Sequence, residues 1–239
     1  MKNLNEPSQS DLLIESSILD AKLQRRSFLQ YAGAGAAALA LTAAGCKKDR
    51  VEVPSGVTLD FKDDFGVLNY AYALEQLEAA FYIKVASAPP SGFSAAERNY
   101  FNDIQYHEIA HREFFKNALG SAAIGSLEVD FSSINFSDRT SVLGAAKAFE
   151  DLGVAAYNGA GVRLNDDKYI VVAGQIVSVE ARHAAYVRDM ISNGSFANLG
   201  ELTALGAVDA NGLDAQLSPD KVLAIAGTYI KTKVNVINL

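Results

Sequence analysis

The chain has 239 residues, of which 49% are hydrophobic and 21% charged, with 5 Pro. That is enough apolar material for one substantial core, and too little charge and proline for a disordered protein. The net charge of -7 disfavours a nucleic-acid binder, whose footprint is a basic face.

A polar leader runs up to Arg25-Arg26-Ser27-Phe28-Leu29. A small, weakly apolar run over 31–41 follows, then Thr42-Ala43-Ala44-Gly45-Cys46. This resembles a twin-arginine export signal followed by a lipobox, with Ala43 where that motif usually carries Leu. The run is too short, too rich in Gly and Ala, and too closely followed by Lys47 and Lys48 to suit a spanning helix. Cys46 is the single cysteine, so neither an intrachain disulfide nor a thiolate cluster can form. Its place after the apolar run suits acylation. The resemblance implies a signal segment over 1–45 and export of an already folded protein. A membrane anchor through lipid on Cys46 would then leave 46–61 as a tether, with the protein periplasmic or at the cell surface.

Residues 62–193 carry four helical patterns. Over 63–87, Phe65, Leu68, Tyr72, Ala79, Tyr82 and Ile83 recur at helical spacing. Asp60, Asp63 and Asp64 suit the start of this helix, and Pro89-Pro90-Ser91-Gly92 ends it. Glu75 and Glu78 fall on or beside the apolar stripe. Ser94 with Glu97 three residues later is a capping box, opening a second helix to about Leu119 that closes at Gly120. Phe101, Ile104, Glu108, His111, Phe115 and Leu119 share one of its faces. His107 points roughly a quarter-turn away from Glu108 and reads as a flanking residue or one that supports a ligand from behind.

The stretch 121–136 lacks a helical period and is long for a turn between adjacent antiparallel helices, so it reads as a crossover along the bundle. A third helix follows Ser137-Asp138, with Leu143, Ala146, Glu150, Val154 and Tyr157 in line. Asn158-Gly159-Ala160-Gly161 is expected to fray, and Asp151 to face solvent. The fourth helix covers about 166–192 and turns Ala173, Ile176, Glu180, His183, Ala184 and Val187 inward before Asn193-Gly194. The extension 194–239 holds a short helix from Ser218-Pro219-Asp220 to about Tyr229, then an alternating, strand-like tail over 231–239.

Two of the three histidines stand three residues after a glutamate, as Glu108-x-x-His111 and Glu180-x-x-His183. Residues three apart share a helix face, so each pattern aims a carboxylate and an imidazole at one point, a metal-ligand arrangement. The pattern is part of an internal repeat. Ile104-x3-Glu108-x2-His111-x3-Phe115 matches Ile176-x3-Glu180-x2-His183-x3-Val187, and Glu75-x6-Tyr82 matches Glu150-x6-Tyr157. The tyrosine seven residues on favours Glu75 over Glu78. Carboxylates in apolar stripes cost on the order of several kcal/mol each unless paired or metal-bound.

This arrangement resembles the ferritin-like family, as in bacterioferritins and rubrerythrins. The Leu-Glu-x-Leu-Glu-x-x-Phe-Tyr stretch at 74–82 and the short terminal helix look most like an exported group that includes desiccation-related proteins. The resemblance implies an all-α fold, an up-down four-helix bundle with one long crossover and a short C-terminal helix. It also implies a two-metal site. Glu108 and Glu180 would bridge, Glu75 and Glu150 would be terminal carboxylates, and His111 and His183 would each bind one ion. Such an oxygen-rich set suits two iron or manganese ions. Tyr82 and Tyr157 would serve as hydrogen-bond partners to the ligands or as core aromatics, and Glu78 as an alternative or additional ligand. No cysteine pairs exist for a rubredoxin-type iron site.

Three functions follow from the resemblance: an oxidase or peroxidase acting on dioxygen or peroxide, or iron handling, in oxidative or desiccation stress; manganese catalase-like disproportionation of peroxide; and a non-catalytic stress-protective bundle with a structural metal. A closed iron-storing cage fits poorly with a lipid anchor and a C-terminal extension. The oligomeric state stays open, a dimer included.

Overall fold

Each long helix begins at a side chain that accepts from otherwise unpaired backbone amides. In the computed structural model, which describes residues 55–239 apart from Ala197, Asp63 caps α1 (Asp64–Ser87) and the Ser94/Glu97 capping box opens α2 (Ala95–Leu119). Asp138 accepts from Thr140 and Ser141 at the head of α3 (Arg139–Gly161), and Asp166 accepts from Lys168 at the head of α4 (Asp167–Ile191). A short α5 (Pro219–Ala226) follows, with Pro219 in its first turn. Arg25, Arg26 and Cys46, the expected export and lipidation residues, lie outside the described residues.

α1 packs on α2 and α3 packs on α4 as two hairpins, and α1 also meets α3. Hydrogen bonds fix the directions. Tyr82, late in α1, donates to Glu150 in α3, whereas Tyr157, later in α3, donates to Glu75, earlier in α1. α1 and α3 are therefore antiparallel, so α2 and α3 run the same way and the link between them must travel the length of the bundle. The chain between them does so along α1. Asn69 binds Ala122 O (2.9 Å) and Ile124 N (2.8 Å), and one turn-pair later Gln76 accepts from Leu127 N at 2.9 Å. Still further on, Lys84 Nζ stands 4.0 Å from the centre of the Phe136 ring. Two side-chain amides thus serve as backbone partners for a loop that has no ladder of its own.

This strap explains why α1 is buried on nearly all sides rather than along one stripe. Val67, Tyr70, Leu74, Leu77, Phe81 and Val85 are all buried, several of them outside the stripe expected from periodicity. Phe65, expected to face inward, is 42% exposed, because it lies in the first turn at the end of the bundle.

The expected tether is partly folded. β1 (Val57–Asp60) pairs in parallel with β2 (Val234–Ile237), Val57 opposite Val234 and Asp60 opposite Ile237, and Leu59 is fully buried. The strand-like tail is therefore a strand, and its partner comes from the other end of the domain. Lys231 N also donates to Glu128 O at 2.8 Å, tying the tail to the crossover.

The end of α3 does not fray. Asn158 Nδ2 donates to Ala215 O at 2.8 Å and Leu217 N donates to Ala155 O at 3.0 Å, so the extension holds the last turns. Gly159 permits this approach, since a Cβ there would stand 1.6 Å from Leu217 O. Gly159→Ala should therefore lower the unfolding free energy by about 1–3 kcal/mol in thermal or denaturant unfolding. Gly144→Ala, also in α3 but with nothing within 4 Å of the added carbon, should raise it by about 0.4–1 kcal/mol.

Candidate metal centre

The two hairpins bring the six acidic and imidazole groups singled out by the repeat to one place inside the bundle. Glu75, Glu108, Glu150 and Glu180 are fully buried, and His183 is 4% exposed. His111 Nδ1 lies 2.7 Å from Glu180 Oε1 and 3.6 Å from both Glu75 Oε2 and Glu108 Oε2. His183 Nδ1 lies 3.0 Å from Glu108 Oε1 and 3.4 Å from both Glu150 Oε2 and Glu180 Oε2. Two groups of four donors result, Glu75/Glu108/His111/Glu180 and Glu108/Glu150/Glu180/His183, each with its donor atoms within 4.8 Å of one another. Glu108 and Glu180 belong to both groups. Each carries two oxygens and sends one to either side.

The atoms facing this centre are the ones left without ordinary hydrogen bonds. Among the described residues, the buried side-chain atoms with no hydrogen-bond partner are Tyr70 Oη, Glu75 Oε2, both oxygens of Glu108, Glu150 Oε2, both oxygens of Glu180, His111 Nδ1 and His183 Nδ1. Apart from Tyr70, all of them converge on the centre. Buried polar atoms are rarely left unpaired, and an oxygen-rich set with one imidazole on each side fits two hard or borderline divalent cations. The outer oxygens are engaged. Tyr82 donates to Glu150 Oε1 and Tyr157 donates to Glu75 Oε1. Burial and the neighbouring carboxylates raise the pKa of both phenols well above the usual value, so each hydroxyl stays a donor.

Electrostatics at the centre are dominated by burial and mutual proximity. Burial, reinforced by the charge of Glu180, pushes Glu108 up to about 8, and burial raises Glu150 to about 7 and raises Glu75. For Glu180 burial acts upward too, but the close approach of the His111 and His183 rings prevails and holds it at about 2. Burial opposes charge on the imidazoles, yet the surrounding carboxylates push His111 and His183 up to about 12. Four carboxylates in a protein interior require compensating positive charge, which ring protons or two divalent cations can supply.

The family model described as the ferritin-like domain matches residues 63–193, more than half of the chain. The chain belongs to the ferritin-like family. A second family model, for the twin-arginine translocation pathway signal sequence, matches residues 22–42 and supports export across a membrane. A search of curated proteins found no match.

Three residues of this ferritin-like domain outside the six-group set can be placed against the sequence reading. Asp151 does not face solvent. It is 6% exposed and bound by both arms of Arg188, at 2.8 and 2.7 Å, while Arg188 also reaches Glu201 at 3.1 Å. The segment after α4 covers this face, which the period of α3 alone does not reveal. Of the two readings of His107, the structure shows the one behind a candidate ligand, because its Nδ1 lies 2.9 Å from His183 Nε2. Its quarter-turn offset from Glu108 points it across to α4.

Glu78 is buried but belongs to neither donor group. One of its oxygens lies 3.0 Å from where a Cβ of Gly153 would be. Gly153 occupies the position in α3 that the repeat makes equivalent to Glu78 in α1, so one half of the repeat supplies the carboxyl and the other the space for it. Burial, then the charges of Glu180, Glu108, Glu75 and Glu150, raise the Glu78 pKa well above the usual range. Glu78→Gln keeps that shape. It should change stability by less than about 1 kcal/mol and leave metal content unchanged by elemental analysis, whereas loss of an ion would put Glu78 among the ligands.

Proposed function

We propose that this ferritin-like protein is exported, anchored to a membrane by lipid on Cys46, and binds two iron or manganese ions that act on dioxygen or peroxide. The observation that carries the reading is the sharing of Glu108 and Glu180 between two otherwise separate donor groups. In it, Glu108 and Glu180 would hold both ions. Glu75 and His111 complete one position, and Glu150 and His183 the other. Carboxylate-rich coordination of this kind supplies redox chemistry to a small oxidant.

The chain's own residues would do the rest. Tyr157 and Tyr82 each hold the outer oxygen of a terminal carboxylate, leaving the inner oxygen aimed at the centre. The surrounding helices keep bulk water from the carboxylates, which are fully buried. His111, with 13% of its side chain exposed against 4% for His183, marks the side nearer solvent, from which a small oxidant would enter.

Elemental analysis of the mature protein purified without chelators should find about two ions per chain. Glu108→Ala should remove both, since Glu108 serves both positions, while Glu75→Ala should leave one. A wild-type protein with no bound metal would sink the reading. Oxygen release from peroxide without added reductant would move the chemistry to the manganese catalase-like class. Loading should also release protons. His111 and His183, pushed up to about 12, each carry a second ring proton near pH 7 and must lose it to bind an ion. At least two protons per chain should therefore appear in a weakly buffered titration, and apparent affinity should fall as the pH is lowered.

A further inference from the structure

The internal repeat predicts two equivalent halves, but the second nitrogens of the two inward-facing imidazoles are treated differently. His183 turns Nδ1 to the carboxylates, and its Nε2 lies 2.9 Å from His107 Nδ1, the two rings near-parallel at 11°. His111 also turns Nδ1 inward. Its other half of the repeat has no counterpart of His107. Aligning Glu108 with Glu180 puts Val179 at the equivalent position, and a valine side chain has no hydrogen-bonding atom.

We propose that His107 is a positioning residue that makes the two metal positions unequal, fixing His183 as the ligand of the tighter one. The proposal rests on the two-ion reading above. A ligating imidazole needs its lone pair on the nitrogen facing the ion, so its proton must sit on the other. For His183 that other nitrogen is Nε2, which donates to His107 Nδ1. The bond selects the tautomer, holds the ring in plane with its target and increases the basicity of Nδ1. Tyr100 Oη adds a contact to the His183 carbonyl oxygen at 3.4 Å, on the same side of α4. The structure offers His111 no such bond among the described residues, and its ring is the more exposed. The position built on His183 is therefore the preorganised one, and that built on His111 the exchangeable one.

The test is a cobalt(II) titration of the full mature chain after metal removal with a chelator, read by ligand-field absorbance. Wild type should fill in two resolved steps. His111→Ala should abolish the weaker step and His183→Ala the tighter one. His107→Phe, which keeps a planar ring but no acceptor, should weaken the tighter step by about 10- to 100-fold and leave the other unchanged. His107→Asn, whose amide oxygen can take the place of Nδ1, should restore most of the loss. Equal affinities at both positions, no effect of His107→Phe, or equal weakening of both steps would overturn the proposal while leaving the two-ion reading intact. Absence of cobalt binding in wild type would instead overturn that reading.

Discussion

The constraint on which the rest of the domain depends is the burial of four carboxylates within a few ångströms of one another. Like charges at that separation in a protein interior repel strongly, and each also loses its hydration. The fold answers in several ways at once. Two imidazoles lie between the carboxylates, two phenols donate to the outermost oxygens, and the innermost oxygens converge so that a cation can serve two of them together. None of these works unless all four helices are present and in register. The centre thus acts as a register pin for the bundle.

Much of this was legible in the sequence because the signals are local and repeated. The caps Asp63, Ser94, Asp138 and Asp166 precede helices that begin on the next residue, since capping depends on atoms only a few bonds apart. Which carboxylates converge was legible for a different reason. Glu-x-x-His fixes a helix face, and the recurrence of Glu-x6-Tyr chooses Glu75 over Glu78 without knowledge of the tertiary structure. The pairing of each tyrosine with the glutamate of the other helix was not legible, because spacing within a helix says nothing of its neighbour's direction.

What the sequence hid lies where segments far apart in the chain meet. The strand pair joins residues near opposite ends of the domain; alternation marks the tail as strand-like, but it does not name the partner, and β1 is too short to announce itself. Asp151 was misread because helical periodicity marks an apolar face but not a face covered later by a polar partner, here Arg188. α1 looks amphipathic by spacing, yet the crossover held by Asn69 and Gln76 closes its outer side. In the last two cases an ion pair or a side-chain amide, rather than apolar burial alone, makes the unexpected contact.

The departures from the repeat are more informative than the repeat. A symmetric pair of Glu-x-x-His helices would bind two like ions alike and would distinguish neither side for an incoming molecule. Here Glu78 faces Gly153 rather than its own equivalent, and His107 stands where the other half has Val179. Both substitutions sit one shell outside the shared carboxylates, where they can bias the centre without removing a donor from it. The centre thus gains asymmetry from residues outside both donor groups, which leaves Glu108 and Glu180 common to both halves while the histidine environments diverge.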